Sequence, residues 1–330
     1  MLKRRPQILL LFATLCVVLV PFRSPAPMTY TPGEGWTYEA PGKEGKWKRS
    51  RAKEQLDVAQ KAFDDKDYST SLKAARHIAK TWPLSDHAAP AQYLVGRCHE
   101  ARREDQQAFD AYQAIVAKYP KTDVLKEVLQ RQFEIAGRYL NGQWFRIWRY
   151  IPLPPSMDRT AGLYARIVDN GPYSDVAPQA QLKIGAAREK QKNFPEAVRA
   201  YERAADRYND RPQIAATALF SAGMAYRKQA RSPEYDQSAA GQSIATLTDF
   251  ITLYPDDARV ADAQKTIEWL RGEQARGNFI TAKYYDKKKK PKAALIYYNE
   301  VLVHDPNSPN AVGSRQRIDE IKKHLKPAAK

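Results

Sequence analysis

Glycine, cysteine and histidine are scarce in this chain: 15, 2 and 5 residues among 330. Sparse glycine argues against tightly turned β architectures, and the 19 tyrosines that dominate the aromatics suit packed helices better. The two cysteines are Cys16, in an apolar leader, and Cys98, in the body, so a chain that loses its leader keeps no disulfide partner. Cys98 stands in a helical stretch beside Val95 and Gly96, where a small buried residue is expected rather than a nucleophile. His77, His87, His99, His304 and His324 are scattered, and Cys98, His99 and Glu100 together do not complete a zinc set, so no metal or other cofactor is expected. Phosphate loops, nucleophile elbows and paired carboxylates are also missing. The expectation is therefore a protein without a catalytic residue, not an enzyme.

What is present is a large stock of core and charge. Hydrophobic residues make up 43% and charged residues 28%, which provides a core and excludes a polytopic membrane protein. The formal net charge is +17. Lys3, Arg4, Arg5 and Arg23 carry part of it without an acidic neighbour before residue 28, and removing them leaves 50 basic against 37 acidic residues, a net of +13. Such a field suits anionic partners: lipid headgroups, lipopolysaccharide, acidic protein surfaces or nucleic acid. The alternative is a solvated charged surface with no specific ligand. No nucleic-acid-binding module is recognisable, and nucleic acid is not expected as a partner.

Residues 1–5 are basic and residues 8–20 (ILLLFATLCVVLV) form an uncharged apolar run that is short for a bilayer span, the pattern of a secretory signal peptide. Residues 1–27 are thus read as a signal peptide or an N-terminal membrane anchor, because Pro27 directly follows the small residues of Ser24-Pro25-Ala26. Leu15 stands where a lipobox wants a small residue, and Cys16 lies inside the apolar run, so acylation of Cys16 is not expected. Residues 28–51, rich in Pro, Gly, Tyr and Trp, read as an extended tether that could fold onto the first helices through Trp36 and Tyr38.

Beyond the tether a phrase recurs: Trp82-Pro83-Leu84-Ser85, Tyr119-Pro120-Lys121-Thr122, Pro172-Tyr173-Ser174, Tyr254-Pro255-Asp256-Asp257 and Asp305-Pro306-Asn307-Ser308. Proline ends one helix, and the Ser, Thr or Asp is expected to cap the next. Counting back from Pro120, Gly96, Ala108, Tyr112 and Ile115 fall where a repeat of about 34 residues needs small or apolar groups. Gly96 lets the two helices approach, Ala108 fills the matching spot, and Tyr112 plugs the space toward the neighbouring repeat. The same register places Ala59, Ser71, Ala75 and Ile78 in repeat one, and Gly185, Phe194, Ala197, Tyr201 and Ala204 in repeat four. Repeat five has Gly223, Tyr226, Leu247 and Phe250, and repeat six has Ala282, Tyr285, Ala294, Tyr298 and Val301 before Pro306. The expected fold is all-α, a tetratricopeptide-repeat-like solenoid of about six helical hairpins over 52–325. It carries an insertion at 141–156, a final helix at 308–325 and a tail at 326–330, and its concave groove would bind other proteins.

Two stretches are candidate partner-binding sites. Trp144, Phe145, Arg146, Trp148, Arg149 and Tyr150 alternate aromatic and basic groups within the insertion, as an arm that reaches a partner or membrane surface, or as a cover folded back over the edge between repeats. Lys287 and Lys288 open a run of four lysines at the turn of repeat six. The C-terminal third also resembles a known family. Tyr235-Asp236-Gln237-Ser238-Ala239-Ala240, Leu247-Thr248-Asp249-Phe250, Leu253-Tyr254-Pro255, Ala282-Lys283-Tyr284-Tyr285 and Ala293-Ala294 are similar to the C-terminal half of the BamD family, the tetratricopeptide lipoproteins of the outer-membrane β-barrel assembly machine. The resemblance implies a non-catalytic periplasmic scaffold. Its C-terminal repeats would hold the barrel-assembly machinery and its N-terminal groove would receive unfolded outer-membrane proteins. A count of six repeats, the aromatic insertion and the poor lipobox depart from that family. The other reading is a periplasmic repeat protein that coordinates envelope constriction or peptidoglycan synthesis.

Overall fold

A computed structural model describes residues 28–31, 35–38, 47–147, 151–230 and 237–325; the expected leader and tail lie outside them. The described residues contain thirteen α-helices and two short β-ribbons. The chain divides into two compact units, Met1–Val124 and Leu125–Lys330.

The first unit holds the hairpins α1 (Ala52–Asp64) with α2 (Tyr68–Thr81), and α3 (Ala88–Ala101) with α4 (Asp105–Lys118). The second holds α5 (Leu125–Leu140) with α6 (Met157–Asn170), α7 (Ala177–Lys190) with α8 (Phe194–Arg207), α9 (Pro212–Gln229) with α10 (Gln237–Leu253), and α11 (Val260–Lys287) with α12 (Pro291–His304). A last helix, α13 (Pro309–Leu325), packs on α12. The six expected hairpins and the final helix are all present. The departures from a purely helical chain are β1 (Met28–Thr31) paired antiparallel with β2 (Gly35–Tyr38), and β3 (Phe145–Ile147) paired with β4 (Ile151–Leu153).

Helix α8 shows how sequence makes each element. The Asn193 side chain accepts the amide of Glu196, Pro195 presets the first turn, and Ala197, Val198, Ala200, Tyr201 and Ala204 recur at spacings of three and four to form the buried stripe. Arg199 and Glu196, on the opposite side, pair with each other in water.

The hairpins of repeats two, four, five and six each close on a side chain seated where a small residue leaves room. A Cβ built on Gly96 would come 2.2 Å from the Tyr112 ring, and one on Gly185 would come 2.4 Å from Tyr201. Only hydrogen fits there, so these glycines set the closest approach of the two helices. Tyr112 therefore fills space inside its own hairpin, where the sequence pattern had pointed it toward the neighbouring repeat. Gly223 and Leu247 make the same seat in repeat five, and Ala282 with Tyr298 holds the corresponding positions in repeat six, both buried. Ala108, Ala197 and Ala294 are fully buried as expected, and so are Ala59, Ser71, Ala75 and Ile78 of repeat one. Tyr285, expected beside them, is only half-buried and stacks instead on Tyr297, 5.4 Å away.

The tyrosine hydroxyls are bound as well. Tyr112 donates to Glu100 Oε2 at 2.7 Å and Tyr298 to Asp286 Oδ2 at 3.4 Å, while burial beside Glu189 pushes the Tyr201 phenol well above its ordinary range. In each case the acid lies one helical turn after the small residue of the seat, so the ring's polar tip meets an acceptor that the first helix carries.

The turns between repeats differ from the expectation that Ser, Thr or Asp caps the next helix. Helices α3, α7 and α11 begin after His87, Val176 and Arg259, none of which makes a side-chain cap. Ser85, Ser174 and Asp257 sit two residues earlier and Ser308 directly before α13, each at the shared corner of two successive backbone turns, as in Ser85 N–H to Trp82 O and Ala88 N–H to Ser85 O. Their side chains brace those turns: Ser174 and Ser308 donate back to Gly171 O and Asp305 O, while Ser85 and Asp257 accept the amides of His87 and Arg259. Pro120 and Pro306 occupy exposed turn positions, consistent with their role as helix terminators.

In the first unit buried polar groups knit the chain. Gln55 donates to Trp47 O at 2.8 Å and accepts the amide of Arg49 at 2.7 Å, which ties residues 47–49 to α1. Trp47 packs on the first hairpin against His77. It takes the place expected for Trp36, which is 67% exposed and contacts Tyr30. His99 is buried between Arg76 (2.9 Å to Nε2) and Glu104 (2.6 Å to Nδ1). Because the guanidinium can only donate, Nε2 accepts and Nδ1 carries the proton toward Glu104. Cys98 contacts Ser71 Oγ at 3.2 Å, and burial pushes its thiol up, so it is an unreactive core residue.

Two tests follow from these contacts. Gly96→Ala is expected to cost about 1–3 kcal/mol by overpacking against Tyr112. Gly162→Ala, on a helix with open space around it, is expected to be neutral or to gain about 0.5–1 kcal/mol; equal urea midpoints for the two variants would remove the seat as a constraint. For His99, burial, opposed by the hydrogen bond to Glu104 and reinforced by the charge of Arg76, lowers the pKa from its ordinary 6.5. The unfolded chain then binds the extra proton as pH falls, so stability is full above about 6.5 and drains away below it. Urea midpoints should drop between pH 7.5 and 5.5, and His99→Gln should narrow that drop.

Candidate partner-binding surfaces

The insertion begins where α5 ends. Gly142 takes the left-handed conformation (φ 101°), and the amides of Gly142 and Gln143 return to Tyr139 O and Arg138 O, closing the helix. Lys190 on α7 caps the same end by donating to Leu140 O at 2.6 Å. The chain then leaves as β3, with Phe145 opposite Leu153. Phe145, expected as a partner contact, is 2% exposed and stacks flat on Tyr139 at 4.0 Å between ring centroids, with the Arg159 guanidinium 5.7 Å from its ring. The insertion is thus anchored by its first aromatic, which has left the water that so large an apolar group avoids. Trp144, one residue earlier, is 54% exposed. The Arg146 side chain and all of Trp148, Arg149 and Tyr150 lie outside the described residues.

The second surface is the turn between α11 and α12. Lys283, Lys287, Lys288, Lys289, Lys290 and Lys292 are all exposed there. Lys289 adopts φ 56°, and the amides of Lys289 and Lys290 bond to Asp286 O and Tyr285 O, which fixes the path of the turn. The single acid of this stretch, Asp286, is turned inward. Arg317 of α13 grips it through Nε and Nη2, the latter at 2.9 Å from Oδ1, and holds its carboxyl below the usual range. The lysines therefore keep their full positive field. Beside them Tyr284, Tyr285 and Tyr297 form an aromatic row with neighbouring centroids 5.4 Å apart. Lys288 Nζ lies 5.8 Å from the Tyr284 ring centre, and Tyr284 is 56% exposed.

The sequence patterns had not singled out the apolar groups flanking this turn. Ile280 precedes Tyr284 by one helical turn on α11, and Ile296 is 61% exposed on α12. Farther along α11, Trp269 is exposed beneath the Arg227 guanidinium, 4.9 Å from its ring. The spacing of Ile280 and Tyr284 was the available signal, hidden because the same helix also buries an apolar stripe.

Residues 166–329 match the model of a family described as outer membrane lipoprotein (YfiO), and residues 90–122 match a tetratricopeptide repeat family. No curated protein sequence matches the chain. Among solved structures, a TPR repeats protein from Bacteroides fragilis is 13% identical, with 84% of this chain and 100% of that chain covered and a TM-score of 0.39. The C-terminal part of a TPR repeat-containing protein from Cytophaga hutchinsonii is 13% identical over 81% and 88%, at 0.36. A tetratricopeptide repeat protein from Parabacteroides merdae is 12% identical over 82% and 98%, at 0.34.

The two neighbours in the insertion should respond differently to truncation. Phe145→Ala is expected to cost about 3 kcal/mol, as a buried aromatic does, and Trp144→Ala to stay within about 0.5 kcal/mol. Equal losses in thermal unfolding would mean that Phe145 is not the anchor.

Proposed function

We propose that this all-α tetratricopeptide-repeat protein is a non-catalytic scaffold of the BamD-like kind, which serves outer-membrane β-barrel assembly by binding partner proteins. The observation that carries this reading is the outer membrane lipoprotein family match, which spans residues 166–329. That span reaches from α6 to beyond α13 and includes the Ala282-Lys283-Tyr284-Tyr285 segment. Tetratricopeptide repeats mediate contacts between proteins, and helix pairs of this type present side chains to a partner without needing a chemical step.

The partners in this reading are the barrel-assembly machinery and unfolded outer-membrane proteins, reached at the periplasmic face of the envelope. Among the described residues no helix is long and apolar enough to cross a membrane. The basic and apolar residues 1–20 would deliver the chain, as a cleaved signal or as an anchor. Trp144 and the exposed lysines of the repeat-six turn are the residues to follow in seeking contacts.

The test is site-specific photo-crosslinking in cells from a probe at Trp144 and, separately, at Lys288. Recovery of a barrel-assembly protein from either position is the expected result. Recovery of cell-wall enzymes alone would overturn the assembly role and favour the coordination of envelope constriction or peptidoglycan synthesis.

A further inference from the structure

We propose that the turn between α11 and α12 docks on a membrane surface bearing anionic phospholipid headgroups. Six lysines stand exposed between residues 283 and 292, none in an ion pair among the described residues. The only acid among them, Asp286, is already satisfied by Arg317 and Tyr298. The second helix adds to this unmet demand for negative charge. Repeats one and four place Asp67 and Asn193 as acceptors for its first amides, whereas repeat six has Lys290 there, which offers no such acceptor.

The choice of a lipid surface over an acidic protein rests on which residues are present. There is no arginine from 283 to 297, and so no planar fork for fixed, bidentate pairing with carboxylates. Lysine offers a point charge on a flexible apolar stem, which suits a diffuse array of headgroups. The ammonium groups of Lys283 and Lys288 lie 5.5 and 5.8 Å from the rings of Phe279 and Tyr284, so charge and apolar surface are interleaved. Tyr284, Ile280 and Ile296 remain exposed around them. A half-exposed tyrosine flanked by lysines and aliphatic groups matches the layered polarity of a bilayer interface. The proposal needs no barrel-assembly partner, so it stands or falls apart from the scaffold reading.

The test is sedimentation of the full-length chain with vesicles of phosphatidylcholine alone and of phosphatidylcholine mixed with phosphatidylglycerol. Neutral vesicles measure the contribution of the apolar leader, and the gain on adding the anionic lipid is the quantity read. Reversal of four lysines (K287E, K288E, K289E, K290E) should cut that gain more than about tenfold. A control with the same net charge on α1 and α2 (K53E, K61E, K73E, K80E) should retain it. Equal loss in both variants would reduce the effect to bulk charge and overturn the proposal. It would also fall if the first variant kept its vesicle gain while losing binding to poly-glutamate, which would identify an acidic protein as the occupant. Should the fourfold variant fail to fold, Tyr284→Ser at unchanged melting temperature provides the second reading: a loss of roughly threefold is expected, and no loss overturns the proposal.

Discussion

The distance between the two helices of a hairpin is the constraint on which the repeats depend. At Gly96 and Gly185 the second helix lays a tyrosine ring where even a methyl group would collide. That contact fixes the approach of the helices, buries most of a large ring and brings its hydroxyl within reach of an acid one turn on. Gly223 with Leu247 and Ala282 with Tyr298 use the same positions with different volumes. In repeat one both positions are alanine, Ala59 and Ala75, and that hairpin gains instead from Trp47 and Trp82 packed at its side. A shared geometry is thus met by several combinations of small and large residues.

With the hairpins fixed, the chain is free to vary at their ends, and its candidate binding surfaces are found there. The turn between the two helices of repeat three is lengthened into a ribbon, made tolerable by one buried ring, Phe145, stacked on the helix it leaves. The turn of repeat six is kept short, with a left-handed lysine, and its only acid is drawn inward by α13. Binding residues on exposed turns held by a rigid scaffold are a general solution, because turns can change without disturbing the packed faces. The proposed scaffold role accords with this division between repeated geometry inside and varied chemistry at the tips.

Much of the helical part was legible because helix formation here is local. Proline marks the ends, apolar residues recur at three and four, and small residues fall at a constant distance from the next tyrosine, so six hairpins can be counted from the letters. The turns were harder. Ser85, Ser174, Asp257 and Ser308 look like caps because they precede helices, yet their side chains brace double turns, a choice made by backbone geometry that short-range propensity does not reveal. The candidate sites were only half legible: the lysine run announces itself as charge, but that Asp286 leaves it to join Arg317, thirty-one residues away, does not.

The sequence by itself determined the number of hairpins, the repeat register, the positive charge and the family resemblance, since each can be read from residue types and their spacing along the chain. Tertiary structure alone decided which aromatics face inward. Phe145 and Trp144 are adjacent aromatics, but Tyr139 offers a flat partner to the first while the second stays 54% exposed. Tyr285 and Tyr298 were both expected at repeat positions, and only the packing of α11, α12 and α13 buries the second while leaving the first half-exposed against Tyr297. Burial is a property of what stands opposite, which depends on chain segments far apart in sequence.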